Sequence, residues 1–497
     1  GWSPSQFPLR LSLPDAAVPS DDDALDRLLK SVKDQLARLP GNGVGYGLLR
    51  HLDPEGAAAL AEQPAAWAGF NYLGRFDAAA DAGDAGFWRP AEGAIAAPRP
   101  PRPRPLARLI DLNAVTEDRA DGPVLVADWS WAARHLDQAA IADLAGRWFD
   151  ALTRIAALTE ARPERVLTTS DVALSGLEQP AIDALAARMP LADILPLSPL
   201  QQGFLFHDSY DDESAAYIVQ MVFQLDGPLD PGRLRAAMRA LLARHPNLAA
   251  RFELIGERMV QLIPRRPDLP WLTHSLTGPD PERDAERDAI LTADRNTRFD
   301  LKNEPPIRVT LIRENKNKHK IAITTHHIAI DGWSLPVFLD ELFALYDAPD
   351  AELSQMTPYA DYIRWTALRP DTEADDFWRD QLADLEGPTL IAPDAGGQSA
   401  GVTLSRKLDA TATGQLESRA RDLGITLNAL IQSAWGLYLS RRSGQRDVIF
   451  GTTVSGRPAD LPGVERMVGL FINTLPLRLR PEPAQPVSEF LRHTHDR

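Results

Sequence analysis

The amino-acid sequence predicts an α/β protein, in which strands alternate with helices. Two strand–helix pairs carry this prediction. Residues 123–131 have the pattern of a strand, and residues 136–158 repeat their apolar positions with a helical period. Farther along, the apolar run 321–323 precedes an amphipathic helical run at residues 335–346. With 497 residues and 44% hydrophobic content, the chain has room for two or three globular units with substantial cores.

Composition and charge argue against several classes of protein. No run approaches the roughly 18 apolar residues of a transmembrane helix, and no secretory leader opens the chain, so we expect no membrane partner. The chain has no cysteine, which excludes disulfides, thiolate catalysis and cysteine-ligated metals. The net charge of −16 argues against nucleic acid as a partner, because phosphate binding needs a basic surface.

The most informative segment is residues 324–334, which reads TTHHIAIDGWS. It places His326 and His327 at the end of a predicted strand, where open α/β sheets commonly place their chemistry. Because successive strand side chains point to opposite faces, the two histidines cannot both face one cavity. One of them can therefore act as a base while the other packs behind it. Asp331 can hold the following loop through an arginine, and Gly332 allows a sharp turn or the close approach of a substrate to its N–H.

Two other interpretations of this segment compete with catalysis. A histidine at the end of a strand is commonly a structural residue with local hydrogen bonds. A metal site could use His326, His327 and Asp331, but neighbouring strand histidines diverge and the chain has no cysteine to complete the ligand set. We therefore expect no bound metal.

The pattern His-His-x-x-x-Asp-Gly at residues 326–332 resembles the signature of the condensation-domain superfamily of nonribosomal peptide synthetases. Chloramphenicol acetyltransferase-like acyltransferases share it in looser form. Five further segments resemble family motifs in the expected order: 198–207 (SPLQQGFLFH), 244–248 followed by Phe252, 359–362 (YADY), 447–458 (DVIFGTTVSGRP) and 467–476 (MVGLFINTLP). The resemblance covers residues 190–497. It implies chloramphenicol-acetyltransferase-like αβ sandwich lobes, arranged in a V around a tunnel.

One position departs from the family pattern. The second motif usually continues Leu-Arg, whereas Ala249 follows Leu248 here. The missing arginine is a candidate partner for the signature aspartate, so Asp331 needs another partner. Arg251 lies two positions on, and hence on the same face of a regular strand, so either Arg251 or Arg244 could substitute.

The first 165 residues carry an internal repeat. Residues 1–11 (GWSPSQFPLRL) parallel residues 469–479 (GLFINTLPLRL), at an offset of 468. Self-similarity over so long a period indicates duplicated units. We therefore expect two partial copies of the fold in tandem, with the chain beginning partway through one domain and ending at nearly the same point of the next. The first residue, which is not methionine, agrees with this expectation.

The first unit resembles the epimerization-domain branch of the superfamily. Residues 39–47 (LPGNGVGYG) and 70–77 (FNYLGRFD) are similar to motifs of that branch. They can also be read as a glycine-rich turn between a helix and a strand, and as a half-buried aromatic strand. Residues 78–105, rich in Ala, Gly and Pro, favour an extended loop. The predicted domains are the C-terminal part of an epimerization domain (1–160), a linker (161–189), and a condensation domain with a complete first lobe and a truncated second lobe (190–497).

The resemblance implies an enzyme that forms a peptide bond between two substrates held as thioesters. Upstream and downstream peptidyl carrier domains would deliver them on 4'-phosphopantetheine arms, in a synthetase that also contains an adenylation domain. The chain itself is expected to bind no cofactor, and the expected location is cytoplasmic.

The resemblance also implies roles for individual residues. His327 is expected to contact the attacking amine, as general base or as an acceptor that positions it, and the Gly332 N–H is a candidate donor to the oxyanion. Asp331 is expected to be structural, and His326 to pack behind and bond to backbone. The residues expected in the substrate tunnel are Trp333, Ser334 and Asn473.

The opening motif at residues 198–207 resembles the version found in condensation domains that accept a D-configured donor. An epimerization domain directly upstream would supply such a donor. Two alternatives remain: a noncatalytic recruitment or docking module, and an acyltransferase that uses a soluble acyl thioester. The intact signature argues against the first, and the tandem arrangement argues against the second.

Overall fold

The structure is a computed structural model that describes residues 6–13, 21–77, 108–119, 121–162, 166–210, 217–369, 372–391 and 403–496. It divides into two compact units, Gly1–Asp171 and Val172–Arg497. The boundary falls inside the segment predicted as a linker, 161–189. The predicted loop at residues 78–105 and the first five residues of the repeat lie outside the described residues.

The first unit contains four helices and a three-stranded sheet in its described part. The helices are α1 (Asp22–Ala37), α2 (Val44–Leu52), α3 (Pro54–Ala61) and α4 (Gln138–Ala161), and the strands are β1 (Ala68–Asp77), β2 (Ile110–Arg119) and β3 (Gly122–Trp131). β2 is central, parallel to β1 and antiparallel to β3. The strand predicted at residues 123–131 and the helix predicted at 136–158 are confirmed as β3 and α4.

The glycine-rich segment of the first unit connects two helices. It forms a short 3-10 turn, Pro40–Gly43, that runs from α1 into α2, so its reading as a turn between a helix and a strand is wrong. Gly41 and Gly43 have φ values of 53° and 80°, which glycine adopts without steric cost. Residues 70–77 belong to β1.

The second unit begins with two sheets and their helices. Its strands are β4 (Leu191–Pro196), β5 (Ile218–Asp226), β6 (Arg251–Ile255), β7 (Arg258–Pro264), β8 (Trp271–Ser275), β9 (Ile307–Arg313) and β10 (Lys318–His326). Its helices are α5 (Gln179–Arg188), α6 (Pro199–Tyr210), α7 (Pro231–Arg244), α8 (Asp280–Asn296), α9 (Ser334–Asp347) and α10 (Tyr359–Ala367). The larger sheet has the order β5-β10-β9-β8, and the smaller has the order β4-β7-β6.

β10 is the strand on which this part of the molecule is built. It pairs antiparallel with β5 on one side and with β9 on the other, so its apolar residues are enclosed. Ile321 and Ile323 are 1% exposed and belong to one core with Leu242 of α7 and with Phe338 and Leu342 of α9. The strand–loop–helix order predicted around residues 321–346 is therefore confirmed, and with it the α/β class.

The remainder of the second unit is a smaller α/β assembly. It contains α11 (Thr372–Leu382), α12 (Ala410–Leu423), α13 (Leu427–Ser443), α14 (Val487–His495) and the antiparallel pair β11 (Val448–Val454) and β12 (Asn473–Leu479). Its core joins Leu439 of α13, Val448, Leu479 and Phe490 of α14. Within the described ranges, no helix combines the length and apolar composition that a bilayer crossing requires.

Candidate active site

The signature loop, residues 327–333, connects β10 to α9. β10 remains paired through His326, which lies opposite Ile218 of β5. One residue later, the His327 N–H donates to the carbonyl of Tyr217 at 2.8 Å. The Ala329 N–H then donates to the carbonyl of His326 at 3.1 Å and turns the chain away from the sheet. The end of a central strand thus fixes the position of both histidines.

His326 is buried and neutral. Its side chain is 3% exposed, and its Nδ1 accepts a hydrogen bond from the Ile328 N–H at 3.1 Å. Burial lowers its pKa to about 4, and the Asp208 carboxylate, 3.9 Å from Nε2, only partly opposes this effect. Because Nδ1 is an acceptor, the neutral ring carries its proton on Nε2. His326 therefore serves the loop as a hydrogen-bond acceptor.

His327 has a different environment. Its ring is half-buried, with its centre 5.7 Å from the ring of Phe204 in α6. Its Nδ1 is buried and has no hydrogen-bond partner in the part of the chain that the structure describes. Nε2 is then the nitrogen that remains for contact with a substrate. Of the two histidines, His327 is the one whose ring reaches the surface.

Asp331 attaches the signature loop to a segment about 140 residues farther along the chain. Its Oδ1 accepts from the Ser334 N–H, the first N–H of α9, at 2.8 Å and so satisfies a group that has no partner within the helix. Its Oδ2 accepts from the N–H groups of Phe471 and Ile472 at 3.0 and 3.3 Å. Its own N–H donates to the carbonyl of Gly469 at 3.0 Å. Every one of these bonds involves backbone, and both carboxylate oxygens are engaged.

The cation opposite Asp331 is Arg457. Its Nη2 lies 3.7 Å from Asp331 Oδ1 and donates to the Ser334 hydroxyl at 2.8 Å. Its Nη1 donates to the carbonyl of Met467 at 3.1 Å, and the guanidinium lies 3.9 Å from the centre of the Phe471 ring. Burial lowers the pKa of Arg457, while the Asp331 carboxylate acts to raise it. The pair is fully enclosed, with side chains 2% and 0% exposed.

The expectation that Arg251 or Arg244 pairs with Asp331 is wrong. Arg244, at the end of α7, donates to Glu341 of α9 at 3.0 Å. Arg251 donates to the carbonyl of Ala249 at 3.1 Å. The family resemblance had indicated the segment 447–458 that contains Arg457. Its contact with Asp331 is tertiary, however, and no spacing in the sequence signals it.

Ser334 is also placed differently from the expectation. The residue is completely buried, so it does not line an open tunnel. Its hydroxyl donates to the carbonyl of Gly469 at 2.9 Å and accepts from the Gly469 N–H at 3.1 Å. With the bond from Arg457, its donor and both acceptor positions are in use. Ser334 instead joins the start of α9 to the segment around Gly469.

The open side of the loop carries Gly332 and Trp333. Gly332 is exposed, a Cβ added to it would meet no atom within 4 Å, and its N–H has no acceptor among the described residues. Trp333 is 58% exposed. Asn473 is half-buried at the start of β12, where its Oδ1 accepts from the Thr474 N–H at 2.9 Å. The Gly332 N–H is therefore available to an incoming group.

The opening motif forms a helix cap whose contact with the signature loop the sequence did not reveal. Ser198 precedes α6, its hydroxyl accepts from the Gln201 N–H at 3.3 Å, and the Gln201 side chain accepts from the Ser198 N–H at 2.9 Å. This reciprocal arrangement is a capping box, with Pro199 in the first helical position. The Gln201 amide also donates to the carbonyl of Ile328 at 3.1 Å. The Ser-x-x-Gln spacing was the available signal.

Two further motifs converge on the same segment. The Tyr359 hydroxyl donates to the carbonyl of Leu470 at 2.7 Å, and the Asn247 amide donates to the carbonyl of Val468 at 2.9 Å. Burial raises the pKa of Tyr359, which stays a neutral donor. Residues 467–472 are thus fixed by side chains from several parts of the second unit.

Comparisons with known proteins agree with this architecture. The family model described as Condensation domain matches residues 191–497. A linear gramicidin synthase protein of Brevibacillus parabrevis is 36% identical over 99% of this chain, and a mycosubtilin synthase protein of Bacillus subtilis is 30% identical over 99%. The chain spans only 6% and 19% of the length of these two proteins.

Two solved structures share the fold. The first condensation domain of the calcium-dependent antibiotic synthetase, in complex with a substrate analogue, has a TM-score of 0.51 at 23% identity, over 61% of this chain and 74% of that one. The X-domain in the complex with OxyB from teicoplanin biosynthesis has a TM-score of 0.51 at 26% identity, over 61% and 68%. Because the family model covers more than half of its residues, this chain belongs to the condensation-domain family.

Proposed function

We propose that residues 190–497 act as a condensation domain of a nonribosomal peptide synthetase. In this role they join a carrier-bound donor thioester to a carrier-bound aminoacyl acceptor through a peptide bond. The observation that carries the proposal is the placement of His327, half-buried on a loop that Asp331 attaches to residues 467–472. The two peptide synthases named above, similar over nearly the whole chain, support it.

The proposed reaction needs a neutral amine and a stabilised oxyanion. The acceptor nitrogen attacks the donor carbonyl carbon, a C–N bond forms, and the C–S bond then breaks so that the donor arm leaves as a thiol. His327 Nε2 accepts the amine proton or orients the amine, and the proton passes to the departing sulfur. A positioned base contributes about 10²–10⁴-fold. The free Gly332 N–H is the candidate donor to the oxyanion.

Alignment of the two arms supplies much of the remaining acceleration. Holding two reactants in line is worth roughly 7–11 kcal/mol. The fixed signature loop can hold the reactants in line, because the side chains of Asp331 and Ser334 are buried. They hydrogen-bond to backbone at the start of α9 and in the segment around Gly469 and Phe471. We therefore assign Asp331, Ser334, Arg457 and His326 to the support of the site, and His327 and Gly332 to the chemistry. Trp333 and Asn473 are proposed to line the substrate path.

The proposal extends to the origin of the donor. Residues 1–160 are proposed to be the C-terminal part of an epimerization domain. Such a domain would supply a D-configured donor to the condensation domain that follows it. Support comes from the motifs at 39–47 and 70–77, from the repeat at offset 468, and from the resemblance of residues 198–207 to the D-donor version of the opening motif. The similarity to the linear gramicidin synthase protein includes this first unit, since it covers 99% of the chain.

The proposed partners follow from the same chemistry. Peptidyl carrier domains on both sides present their substrates on 4'-phosphopantetheine, and an adenylation domain of the same synthetase loads them. The chain binds no cofactor of its own, and the proposed location is cytoplasmic.

Two other functions are less well supported. A recruitment module has a structural counterpart in the X-domain of the complex with OxyB. Here, however, both histidines, Asp331 and Gly332 of the signature are present and the loop is held in place. An acyltransferase for a soluble thioester would not need the upstream unit that accompanies this domain.

The test is single-turnover transfer in the synthetase that contains this chain. Carrier domains loaded with the D or the L epimer of one donor are chased with the same L-configured acceptor. We expect the D-donor to react at least about 100-fold faster, because a displacement near 1 Å at the reacting carbonyl costs on the order of 10²-fold. His327→Ala is expected to remove most of the transfer while thermal unfolding stays the same.

Each outcome of this test bears on a different part of the proposal. Equal rates for the two epimers, or preference for the L-donor, would falsify the D-donor assignment and weaken the epimerization reading. Rates near wild type for His327→Ala contradict the role of its ring. Transfer to the acceptor from a soluble acyl thioester, but from neither loaded carrier, establishes the acyltransferase instead.

A further inference from the structure

A second carboxylate lies behind the histidine pair, near the end of α6. Asp208 Oδ1 lies 3.9 Å from His326 Nε2 and accepts a hydrogen bond from Arg298 Nη2 at 2.9 Å. The same Nη2 lies 3.2 Å from the main-chain carbonyl of Asp208. Arg298 follows α8 and is 30% exposed, while Asp208 is 20% exposed. The arginine therefore holds both the side chain and the backbone of Asp208.

Four elements bring charged, titratable or aromatic groups to His326. Asp208 comes from α6, Arg298 from the segment after α8, and His327 follows His326 at the end of β10. Tyr217, just before β5, places its ring centre 6.0 Å from that of His326. Asp208 is the one group among them that favours the charged imidazolium, and burial, Arg298 and His327 oppose it. The protonation of His326 is thus a balance in which the Asp208–Arg298 pair has a part.

The protonation state of His326 decides whether the signature loop keeps its hydrogen bond. In the imidazolium both nitrogens are donors, so Nδ1 could no longer accept from the Ile328 N–H. Two donors would then face each other in a buried site, which is costly. A positive charge would also stand next to His327 and make its ring a weaker proton acceptor. Protonation of His326 therefore harms both the position and the chemistry of His327.

We propose that Arg298 is a positioning residue for the signature. By engaging Asp208, it prevents that carboxylate from forming a full ion pair with His326, so the buried ring stays neutral and continues to hold the Ile328 N–H. The effect on catalysis rests on the proposed role of His327. The effect on His326 itself does not depend on that role and is measured separately.

Two measurements on the whole protein test the proposal. The first follows the His326 ring by NMR, with carbon-13 in the histidine rings, from pH 3 to pH 8, and His326→Asn assigns its signal. The second is the pH profile of single-turnover condensation. The variants are Arg298→Gln, Asp208→Asn and the double variant. The matched control is Arg308→Gln, which breaks an arginine–aspartate pair with Asp294 in the same part of the fold.

In Arg298→Gln the freed carboxylate raises the pKa of His326, so protonation and loss of activity begin at a higher pH. A carboxylate that pairs fully with a cation shifts a pKa by about 1–3, and in the wild type Arg298 holds back part of this shift. We therefore expect the acid limb of the rate profile to move up by at least about one pH unit, with full rates restored above the new pKa. The double variant lacks both charges, and because Asp208 acts on the pKa of His326 more strongly than Arg298 does, its titration and its acid limb lie at or below the wild-type positions. Arg308→Gln leaves the His326 titration unchanged.

Several results would overturn the proposal. One is an unchanged His326 titration in Arg298→Gln, and another is a double variant that titrates like Arg298→Gln alone. If Arg298→Gln does not fold, Asp208→Asn provides the test. The proposal requires His326 in Asp208→Asn to titrate below its wild-type pKa, and an unchanged pKa would overturn it. Should the wild type form no amide while the NMR pattern is as expected, the proposed function fails and the control of His326 by Arg298 stands.

Discussion

The second unit contains two aspartates, Asp294 and Asp331, whose buried carboxylates are stabilised by different kinds of hydrogen-bond donor. The carboxylate of Asp294, on α8, takes its described hydrogen bonds from side chains of adjacent strands: Gln220 of β5 at 2.7 Å, Arg308 of β9 at 3.0 Å, Thr310 of β9 at 3.3 Å and Thr324 of β10. Asp331 instead accepts mainly from the backbone N–H groups of Ser334, Phe471 and Ile472. The first carboxylate attaches a helix to a sheet, and the second attaches a loop to a distant segment.

Whether the hydrogen-bond donors are side chains or backbone N–H groups determines how much of the local structure relies on each carboxylate. Hydroxyls and amides such as those around Asp294 can rotate and find another partner, because each also has acceptor atoms. Backbone N–H groups cannot leave, and a buried N–H without a partner costs the full desolvation penalty. We therefore expect Asp294 to act on stability, whereas Asp331 also sets the position of the loop that carries His327.

The largest effect is expected for Asp331→Asn. The amide places an NH₂ group against backbone N–H groups and leaves Arg457 buried without its counter-charge. Removing one partner of a buried ion pair costs about 3–5 kcal/mol. Urea unfolding of the two proteins measures this loss. An unchanged free energy of unfolding together with lost condensation would make Asp331 directly catalytic and would end the comparison with Asp294.

A somewhat smaller loss of stability is expected at acidic pH, and it arises from His326 of the signature. The pKa of His326 falls from an ordinary value near 6.5 to about 4 on folding, so the unfolded chain binds the extra proton first. Stability is therefore complete above pH 6.5 and is lost as the pH falls from 6.5 towards 4, by about 3 kcal/mol from this group. His326→Asn retains an acceptor for the Ile328 N–H and cannot titrate.

The measurement is the free energy of unfolding at pH 7, 5.5 and 4.5 for the wild type and His326→Asn. The variant is expected to lose less stability than the wild type between pH 7 and pH 4.5. Parallel curves for the two proteins would mean that other groups dominate the acid response.

The smallest of the three effects is expected for Asp294→Asn. The amide keeps one acceptor oxygen, and the threonine hydroxyls can accept from its NH₂ group, so the main loss is the charge opposite Arg308. Hydrogen bonds to charged groups are worth about 1.5–3 kcal/mol, and we expect a loss in that range. The single-turnover rate of the folded variant should equal that of the wild type. A rate defect as large as that of Asp331→Asn would show that α8 also positions the site.

Local pattern predicted the elements better than their contacts. The apolar run before His326 and the helical spacing after Ser334 predicted β10 and α9, because each depends on a periodicity that the sequence displays. The glycines near residue 42 signalled a turn correctly, but not that a second helix follows it. Turn residues record the local backbone and carry no information about the element beyond.

The supporting residues of the site show where sequence reasoning ends. Arg457 reaches Asp331 only through the tertiary fold, whereas Arg251 was one of two candidates because a regular strand would place it on the expected face. Ser334 was expected in the tunnel from the family resemblance, but at the start of α9 its hydroxyl points towards Gly469. Neighbours in sequence can face opposite directions at a helix start. A sequence motif therefore indicates which residues belong to a site more reliably than it indicates the direction in which their side chains point.

The hydrogen bonds between Asp331 and backbone also limit how early the signature loop can fold during synthesis. Phe471 is added to the chain 140 residues after Asp331. At about 5–20 residues per second, a ribosome needs roughly 7–28 s to cover that distance. During this time β10 and α9 can already pack together, while the buried oxygens of Asp331 have only the Ser334 N–H and water as partners. The loop that carries His327 therefore cannot reach its final form before Phe471 and Ile472 have been added.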